Sequence, residues 1–429
     1  MSGGVDLERL LAALAEELPR AAELRRELHR RPELGHRENG TRQLLVAALE
    51  GVDSGPILGT GLLARAGGAG GSGGAGVADS AGAPAPILVR AELDGLPIEE
   101  RTGADFAAGN GAMHACGHDV HMAALVALTR AVARLGAGAP PLLAFFQPSE
   151  EAPPSGARAF LAEAAAHGPL RAVVAAHVHP EIRFGAVAVP AGPINAACDD
   201  LRIEVTGAAT HAAYPHRGRD PVLALAAVVT ALQQVVARRL DPLHPAVVSI
   251  TRLAAGEAAN AIPNRASAWG TVRTLEPGDR AAALELVRQI TADVARAHGC
   301  EATVEVSAGE PALVNDAALC AAAEPLLAAA GASAAPGFRS CGSDDIAFLG
   351  ELAPLAMAFV GVAGAQELDD VPLHDPRFLP KQVAVAAVAR AQACLYAAAA
   401  SAAPKQTGQG SPAHFHQSVD SSGQGPRGH

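Results

Sequence analysis

The sequence predicts an α/β fold, a mixed and mostly parallel sheet flanked by helices, with a ferredoxin-like α+β unit inserted into it. Three observations predict this. Apolar runs at 87–91, 142–146 and 172–176 alternate with helical stretches at 119–136 and 155–167, the layout of parallel strands joined by helical crossovers. Between 199 and 306 the order becomes strand, helix, strand, strand, helix, strand, that of a ferredoxin-like unit. After 306 the α/β alternation resumes, so the middle unit reads as an insertion. The expected division is 1–198 and 307–401 for the larger domain, 199–306 for the inserted one and 402–429 for a disordered tail.

The chain has 429 residues, 49% hydrophobic but only 3% aromatic, so the core must be built from Ala, Val, Leu and Ile. A net charge of −11 argues against nucleic acid or an anionic membrane surface as partner. Six cysteines at 116, 198, 300, 320, 341 and 394 follow no framework spacing, as in a reducing compartment. Met1–Leu14 lacks a basic stretch followed by an apolar one, so no signal peptide is expected. The apolar run 383–403 is interrupted by Arg390 and Gln392 and reads as a packed helix. A cytoplasmic enzyme, bound to neither membrane nor nucleic acid, fits these features.

In chain order, Asp6–Arg31 reads as one or two helices, interrupted near Pro19 and stopped by Pro32 and Gly35. Residues 66–86 are Gly, Ala, Ser and Pro, a flexible surface insertion. The strand 87–91 closes on Glu92-Leu93-Asp94. Met113–His121 holds Cys116, His118 and His121 around Gly117. Cys116 and His118 point the same way only in extended chain, and Asp119 is the expected N-cap of the helix that follows. The strand 142–146 runs into Gln147-Pro148-Ser149-Glu150-Glu151, and 172–176 into His177-Val178-His179-Pro180. The inserted unit has strands at 201–206, 247–253, 266–274 and 302–306 and helices at 220–239 and 279–298. Helices at 316–330 and 343–350, a strand at 356–360, Leu373-His374-Asp375-Pro376 and a helix from Pro380 complete the pattern.

Ligands in such sheets collect beyond the carboxyl ends of the strands. Asp94, Glu150, Glu151 and His177 all stand there, and Cys116-Gly117-His118 opens a helix there. A catalytic metal needs a few protein ligands and an open position. A hydrolytic site also needs a carboxylate that is not a ligand, and the Glu150-Glu151 pair could supply both roles. With His374 the candidates exceed one tetrahedral ion, so two metals sharing a bridging ligand fit better. Asp94 suits the task of holding a ligating imidazole in its tautomer.

The motifs LHRRPELG (28–35), RAELDGLPIEE (90–100), GAMHACGHDVH (111–121), FQPSEEA (146–152), HVHP (177–180), GAATHAAYPHRGRDP (207–221), NAIP (260–263), GTVR (270–273), GSDD (342–345) and LHDPRF (373–378) occur in this order. Together they resemble the two-metal amidohydrolase family of N-acyl-amino-acid amidohydrolases, hippurate hydrolase and auxin-conjugate hydrolases. The resemblance implies two divalent metal ions per subunit, manganese or zinc, with cobalt and nickel also suited to these ligands. It implies Cys116, His118, Glu151, His177 and His374 as metal ligands, with Cys116 bridging, and Glu150 as general base. It implies that the inserted unit is a lid and homodimerisation domain. His211, Asn260 and Arg273 match residues that meet the substrate's carboxylate or the oxyanion. The expected reaction is hydrolysis of the amide of an N-acyl amino acid.

Some positions depart from the family pattern. Glu92 stands where Asp is commoner, Gly95 where Ala is, Pro153-Pro154 where glycines are, and Asp344-Asp345 where Glu-Asp is usual. His29, His36, His114, His167, His179, His216, His244 and His298 are expected at the surface or behind the ligands. For His121, support of a ligand and a solvent-facing place are about equally weighted. Rival readings are a dipeptidase, an aminobenzoyl-glutamate-type conjugate hydrolase, and a metal- or peptide-binding protein without turnover.

Overall fold

A computed structural model describes residues 5–68, 84–368 and 370–402. Most of the 66–86 insertion and the 402–429 tail expected from the sequence lie outside the described residues. The chain begins with α1 (Leu7–Arg30), capped by Asp6, whose side chain accepts from the Arg9 N–H at 3.1 Å. The expected break at Pro19 does not occur. Pro19 is exposed, so the carbonyl it leaves unpaired faces water, while Leu10, Leu14, Ala21 and Leu28 bury the other face on both sides of it. Packing thus outweighs the local cost of the proline. Then come α2 (Asn39–Ala48), β1 (Asp53–Ile57), β2 (Gly61–Ala66), β3 (Ile87–Glu92), α3 (His118–Leu135), β4 (Leu142–Gln147), α4 (Gly156–Glu163), β5 (Ala172–Arg183), β6 (Ala186–Ala188) and β7 (Gly192–Asn195). β5 continues well past the expected end at 176, so His177 and His179 lie within the strand.

The middle unit contains β8 (Ala197–Thr206), β9 (Thr210–His211), α5 (Pro221–Gln234), β10 (Ala246–Ala255), β11 (Ala261–Ile262), β12 (Arg265–Thr274), α6 (Asp279–Ala297) and β13 (Glu301–Ala308). Asp220 caps α5, accepting from the N–H groups of Val222 and Leu223, and Pro221 occupies the first turn, where no N–H is missed. Strands β10-β12-β8-β13 form a four-stranded sheet, antiparallel throughout. Residues of β8 alternate between buried and more exposed, and Leu201, Ile203 and Val205 pack with Leu225, Val228 and Val287 of the two helices. This is the ferredoxin-like order read from the sequence.

The chain returns through β14 (Leu313–Asn315), α7 (Ala317–Ala329), β15 (Ser333–Ala334), a 3-10 helix at Asp345–Glu351, β16 (Leu355–Ala363) and α8 (Val383–Ser401). The helix expected at 343–350 is therefore a 3-10 helix. The large sheet has the order β1-β2-β4-β3-β5-β16-β6-β15, and its central strands β4, β3, β5 and β16 are parallel. One face packs on α1, α3 and α8 through Leu28, Leu125, Val178, Val388 and Leu395. The other packs Phe145, Met357 and Phe359 on Phe160 and Ile346. The helix α8 is buried along nearly its whole length, as expected for a packed segment. Since side chains alternate along a strand, Arg90 and Glu92 share the second face with Leu88, and His177 and His179 share it with Ala175.

Candidate metal centre

The carboxyl ends of β3 and β4, the outer half of β5 and the first turn of α3 meet at one point. Gly117 makes the turn into α3. It has φ of 83° and is the residue before the helix; an added Cβ would lie 2.5 Å from Val178 Cγ2. Only glycine fits, and its turn sets Cys116 and His118 on either side. The expected N-cap, Asp119, lies instead inside the first turn. Its Oδ2 accepts from Arg25 Nε at 2.7 Å and faces His29 Nδ1 at 2.9 Å. His29 in turn approaches Glu100 Oε1 at 3.1 Å. His29 and His114 are core residues, about 1% exposed, and α1 clamps the start of α3 through Arg25 and His29.

The ring nitrogens can be assigned from their partners. A carbonyl only accepts, so His118 Nδ1–H donates to Asp94 O at 2.8 Å and His177 Nδ1–H donates to Val178 O at 2.7 Å. Each leaves its Nε2 facing the centre. His177 Nε2 stands 3.6 Å from Cys116 Sγ, and His374 Nε2 stands 3.2 Å from Glu151 Oε1. Ligand atoms of Cys116, Glu151 and His374 lie within 4.8 Å of one another, as do those of Glu92, His118, His121 and His177, and those of His118, Glu150 and Glu151. All five residues that the sequence offered as ligands, with Glu150, are therefore together. His374 has φ of 67° and Ser149, before the glutamates, 51°, a left-handed backbone that non-glycine residues hold mainly at functional sites.

His121 differs from its neighbours. Its Nε2 accepts the Val178 N–H at 3.0 Å, so its Nδ1 carries the proton and faces Glu92 Oε2 at 2.8 Å. Both nitrogens are used, which makes it a fully buried support and excludes the solvent-facing place. Asp94 also differs from expectation. The tautomer of His118 is set by the Asp94 carbonyl, while the Asp94 side chain stands 3.6 Å from Nδ1 and accepts the Glu151 N–H at 2.9 Å. Sequence reasoning missed the partners of Glu92. Arg90 is fully buried and donates to Glu92, to Gln147 at 2.9 Å and to Asp345 at 2.9 Å, with Asp344 at 3.1 Å. The signal was present in the i, i+2 spacing of Arg90, Glu92 and Asp94 and the i, i+3 spacing of His118 and His121.

Glu92, Glu150, Asp344 and Asp345 crowd here around the Arg90 guanidinium, with Asp94 and Glu151 close by. Burial pushes the Glu150 carboxyl well above the usual range, and Glu151, Asp344 and Asp345 push it further. Burial and then Glu151 likewise hold the Cys116 thiol well above 9.0. His118 is raised to about 10: burial opposes its charge, but Asp94 and Glu92 outweigh burial. Acidic side chains outnumber basic ones here. His118 Nε2 is moreover buried with no hydrogen-bond partner, a costly state that a cation beside it removes. The donor set of one sulfur, imidazoles and carboxylates suits a divalent transition metal, so these residues fit such an ion.

The expected substrate residues lie in the middle unit. His211 and Asn260 are exposed on paired short strands and their loop, where the Ala212 N–H donates to Asn260 O at 2.9 Å. Among the described residues no hydrogen bond or ion pair joins either to the metal centre. Arg273 ends β12 and donates from Nη1 to Cys341 O at 3.0 Å, linking the middle unit to the segment that carries Asp344 and Asp345.

Known proteins share both sequence and fold with this chain. N-acetylcysteine deacetylase of Bacillus subtilis is 33% identical over 366 residues, 84% of this chain and 91% of the relative. N-acetyldiaminopimelate deacetylase of Geobacillus thermodenitrificans is 34% identical over 302 residues, 69% of this chain and 76% of the relative. The crystal structure of the Bacillus subtilis YXEP protein, titled a dinuclear metal binding peptidase from the M20 family, superposes with a TM-score of 0.76 at 29% identity, covering 89% of this chain and 98% of that one. The profile of peptidase family M20/M25/M40 matches residues 88–396, a span that holds every proposed ligand, and the chain belongs to this family.

Proposed function

We propose that this protein is a metal-dependent amidohydrolase that cleaves N-acyl amino acids to a carboxylate and a free amino acid. One observation carries the reading: Cys116, His118, Glu151, His177 and His374 converge with ligand atoms turned inward, beside a second glutamate, Glu150. These five residues would hold two divalent ions, manganese or zinc. Bound there, the ions supply Lewis-acid polarisation of the amide carbonyl and acidify water. Glu150 takes the proton of the attacking water and hands it to the leaving amine. Asp94 fixes the backbone of Glu151 and the ring of His118 at once. Arg273 spends one nitrogen on Cys341 O and keeps donors for a substrate carboxylate, with His211 and Asn260 completing that role on closure of the middle unit.

The same reading makes 199–306 a lid and a dimerisation unit. Val222, Leu223 and Leu253 are 43%, 58% and 57% exposed on it, a surface that a second copy would cover. The six cysteines are all free thiols, which supports a reducing, cytoplasmic setting.

Glu150→Gln and Glu151→Gln test the assignment. Glu150→Gln keeps shape but cannot accept a proton, so kcat falls roughly 10²–10⁴-fold with metal content unchanged. Glu151→Gln instead loses metal, partly restored by excess ion. Metal stoichiometry by elemental analysis beside kcat decides, and the reverse pattern overturns the roles.

A further inference from the structure

Outside the metal centre, the aromatic rings deserve notice because the chain has so few of them. His179 stands two residues beyond His177 on the same face of β5, roughly 7 Å away along the strand. Its ring centroid is 4.1 Å from that of Phe338 and 5.6 Å from that of Phe359, and the two phenylalanines are 5.0 Å apart. Phe359 pairs directly with His177 across β5 and β16. Phe359 is buried, whereas His179 and Phe338 are half-buried, so the cluster keeps an open side next to the centre. His179 Nδ1 accepts the Glu181 N–H at 3.3 Å, which leaves the ring proton on Nε2. The ring is an apolar wall with a donor edge and is no metal ligand.

The segment bearing Phe338 is held in place. The Ser340 N–H donates to Ile194 O at 2.8 Å, and the next carbonyl, that of Cys341, accepts from Arg273. One short stretch therefore carries both an aromatic shelf and the anchor of the guanidinium proposed to meet the substrate's carboxylate. The carboxylate and the side chain of an amino acid leave the same α-carbon. With the scissile amide at the ligand cluster and the carboxylate toward Arg273, the side chain is the group that reaches the shelf.

We propose that His179 and Phe338, backed by Phe359, form the specificity subsite for the amino-acid side chain, and that the enzyme favours N-acyl amino acids with large apolar or aromatic side chains. This rests on the amidohydrolase reading above. The test uses the full, metal-loaded protein and four substrates: N-acetylalanine, N-acetylphenylalanine, N-acetylaspartate and N-benzoylalanine. Wild type is expected to hydrolyse N-acetylphenylalanine with kcat/KM at least tenfold above N-acetylalanine, with N-acetylaspartate slowest. Phe338→Ala is expected to lose roughly tenfold or more on N-acetylphenylalanine and little on N-acetylalanine, and Phe338→Leu to recover part of the loss. If N-benzoylalanine is instead the substrate that Phe338→Ala affects, the shelf takes the acyl group and the assignment is overturned. Equal loss on all substrates also overturns it, leaving a structural role. Wild type that cleaves none of the four refutes the amidohydrolase reading, whereas cleavage without preference refutes the subsite alone.

Discussion

Substituting Gly117 by alanine tests how tightly the turn between Cys116 and His118 is fixed. Two costs add. A φ of 83° puts an L side chain in the left-handed region, at about 1–2 kcal/mol. The new methyl also lies 2.5 Å from Val178 Cγ2, far inside van der Waals contact, and such overpacking costs about 1–3 kcal/mol. Gly117→Ala should therefore lose about 2–5 kcal/mol in denaturant melts. Because relief of the clash must move Cys116 or His118, metal affinity should fall as well. Val178→Ala removes the clashing methyl, so the double mutant should recover the packing part and keep the backbone part. A double-mutant cycle should then give a favourable coupling of about 1–3 kcal/mol. The assay is urea unfolding of the four proteins beside metal content by elemental analysis. Wild-type stability in Gly117→Ala, or zero coupling to Val178→Ala, would refute the reasoning.

Further outcomes are expected. Exhaustive chelation should abolish turnover and divalent metal should restore it; Cys116→Ala should lower metal content together with rate, and full activity in metal-free protein would count against the centre. Arg90→Met leaves Glu92, Asp344 and Asp345 buried without their counter-charge and should cost about 3–5 kcal/mol in urea melts; a loss below about 1 kcal/mol, the range of an exposed pair, would contradict it. Arg273→Ala should raise KM for substrates with a free carboxylate more than for their amides, and equal effects would remove it from substrate binding. His29 is held above its ordinary 6.5: burial opposes its charge, but Asp119 and Glu100 outweigh burial. A raised histidine stabilises fully below about 6.5 and loses that contribution as pH rises through its folded-state value. The stability gap between wild type and His29→Gln should therefore narrow from pH 6 to pH 9, and a widening gap would show that the sign is wrong.

The strands at 87–92 and 142–147 and the ferredoxin-like order were legible because apolar runs and helical periods are local properties. The candidate site residues were legible because Glu150, Glu151 and His177 stand just past or within those runs, and Cys116 and His118 open a helix. What was not legible depends on distant partners. Whether His121 is a support or faces solvent is decided by the Val178 N–H, on a strand far along the chain. Pro19 broke the helix on paper because the buried stripe that holds α1 together is a tertiary effect. Arg90 looked like an ordinary strand residue until Asp344 and Asp345 arrived from the far end of the sequence. Likewise, nothing near Asp94 announces that its backbone carbonyl, more than its carboxylate, sets the His118 ring.

The two ends of the middle unit are neighbours: Asp199 near the start of β8 pairs with Ala308 at the end of β13. The strand pairings of its sheet are all made within the unit, so it has what it needs to collapse as soon as it leaves the ribosome. The large sheet cannot do the same. β5 waits for β16, since Val173 pairs with Leu355 across the whole middle unit, and α8 must then cover both. His374 is made later than every other proposed ligand. Non-local pairings of this kind are slow to form and expose apolar edges meanwhile. During synthesis the small unit should mature first and the ligand cluster last, so that a chain stalled or truncated before residue 355 would carry a finished middle unit beside an unfinished large sheet.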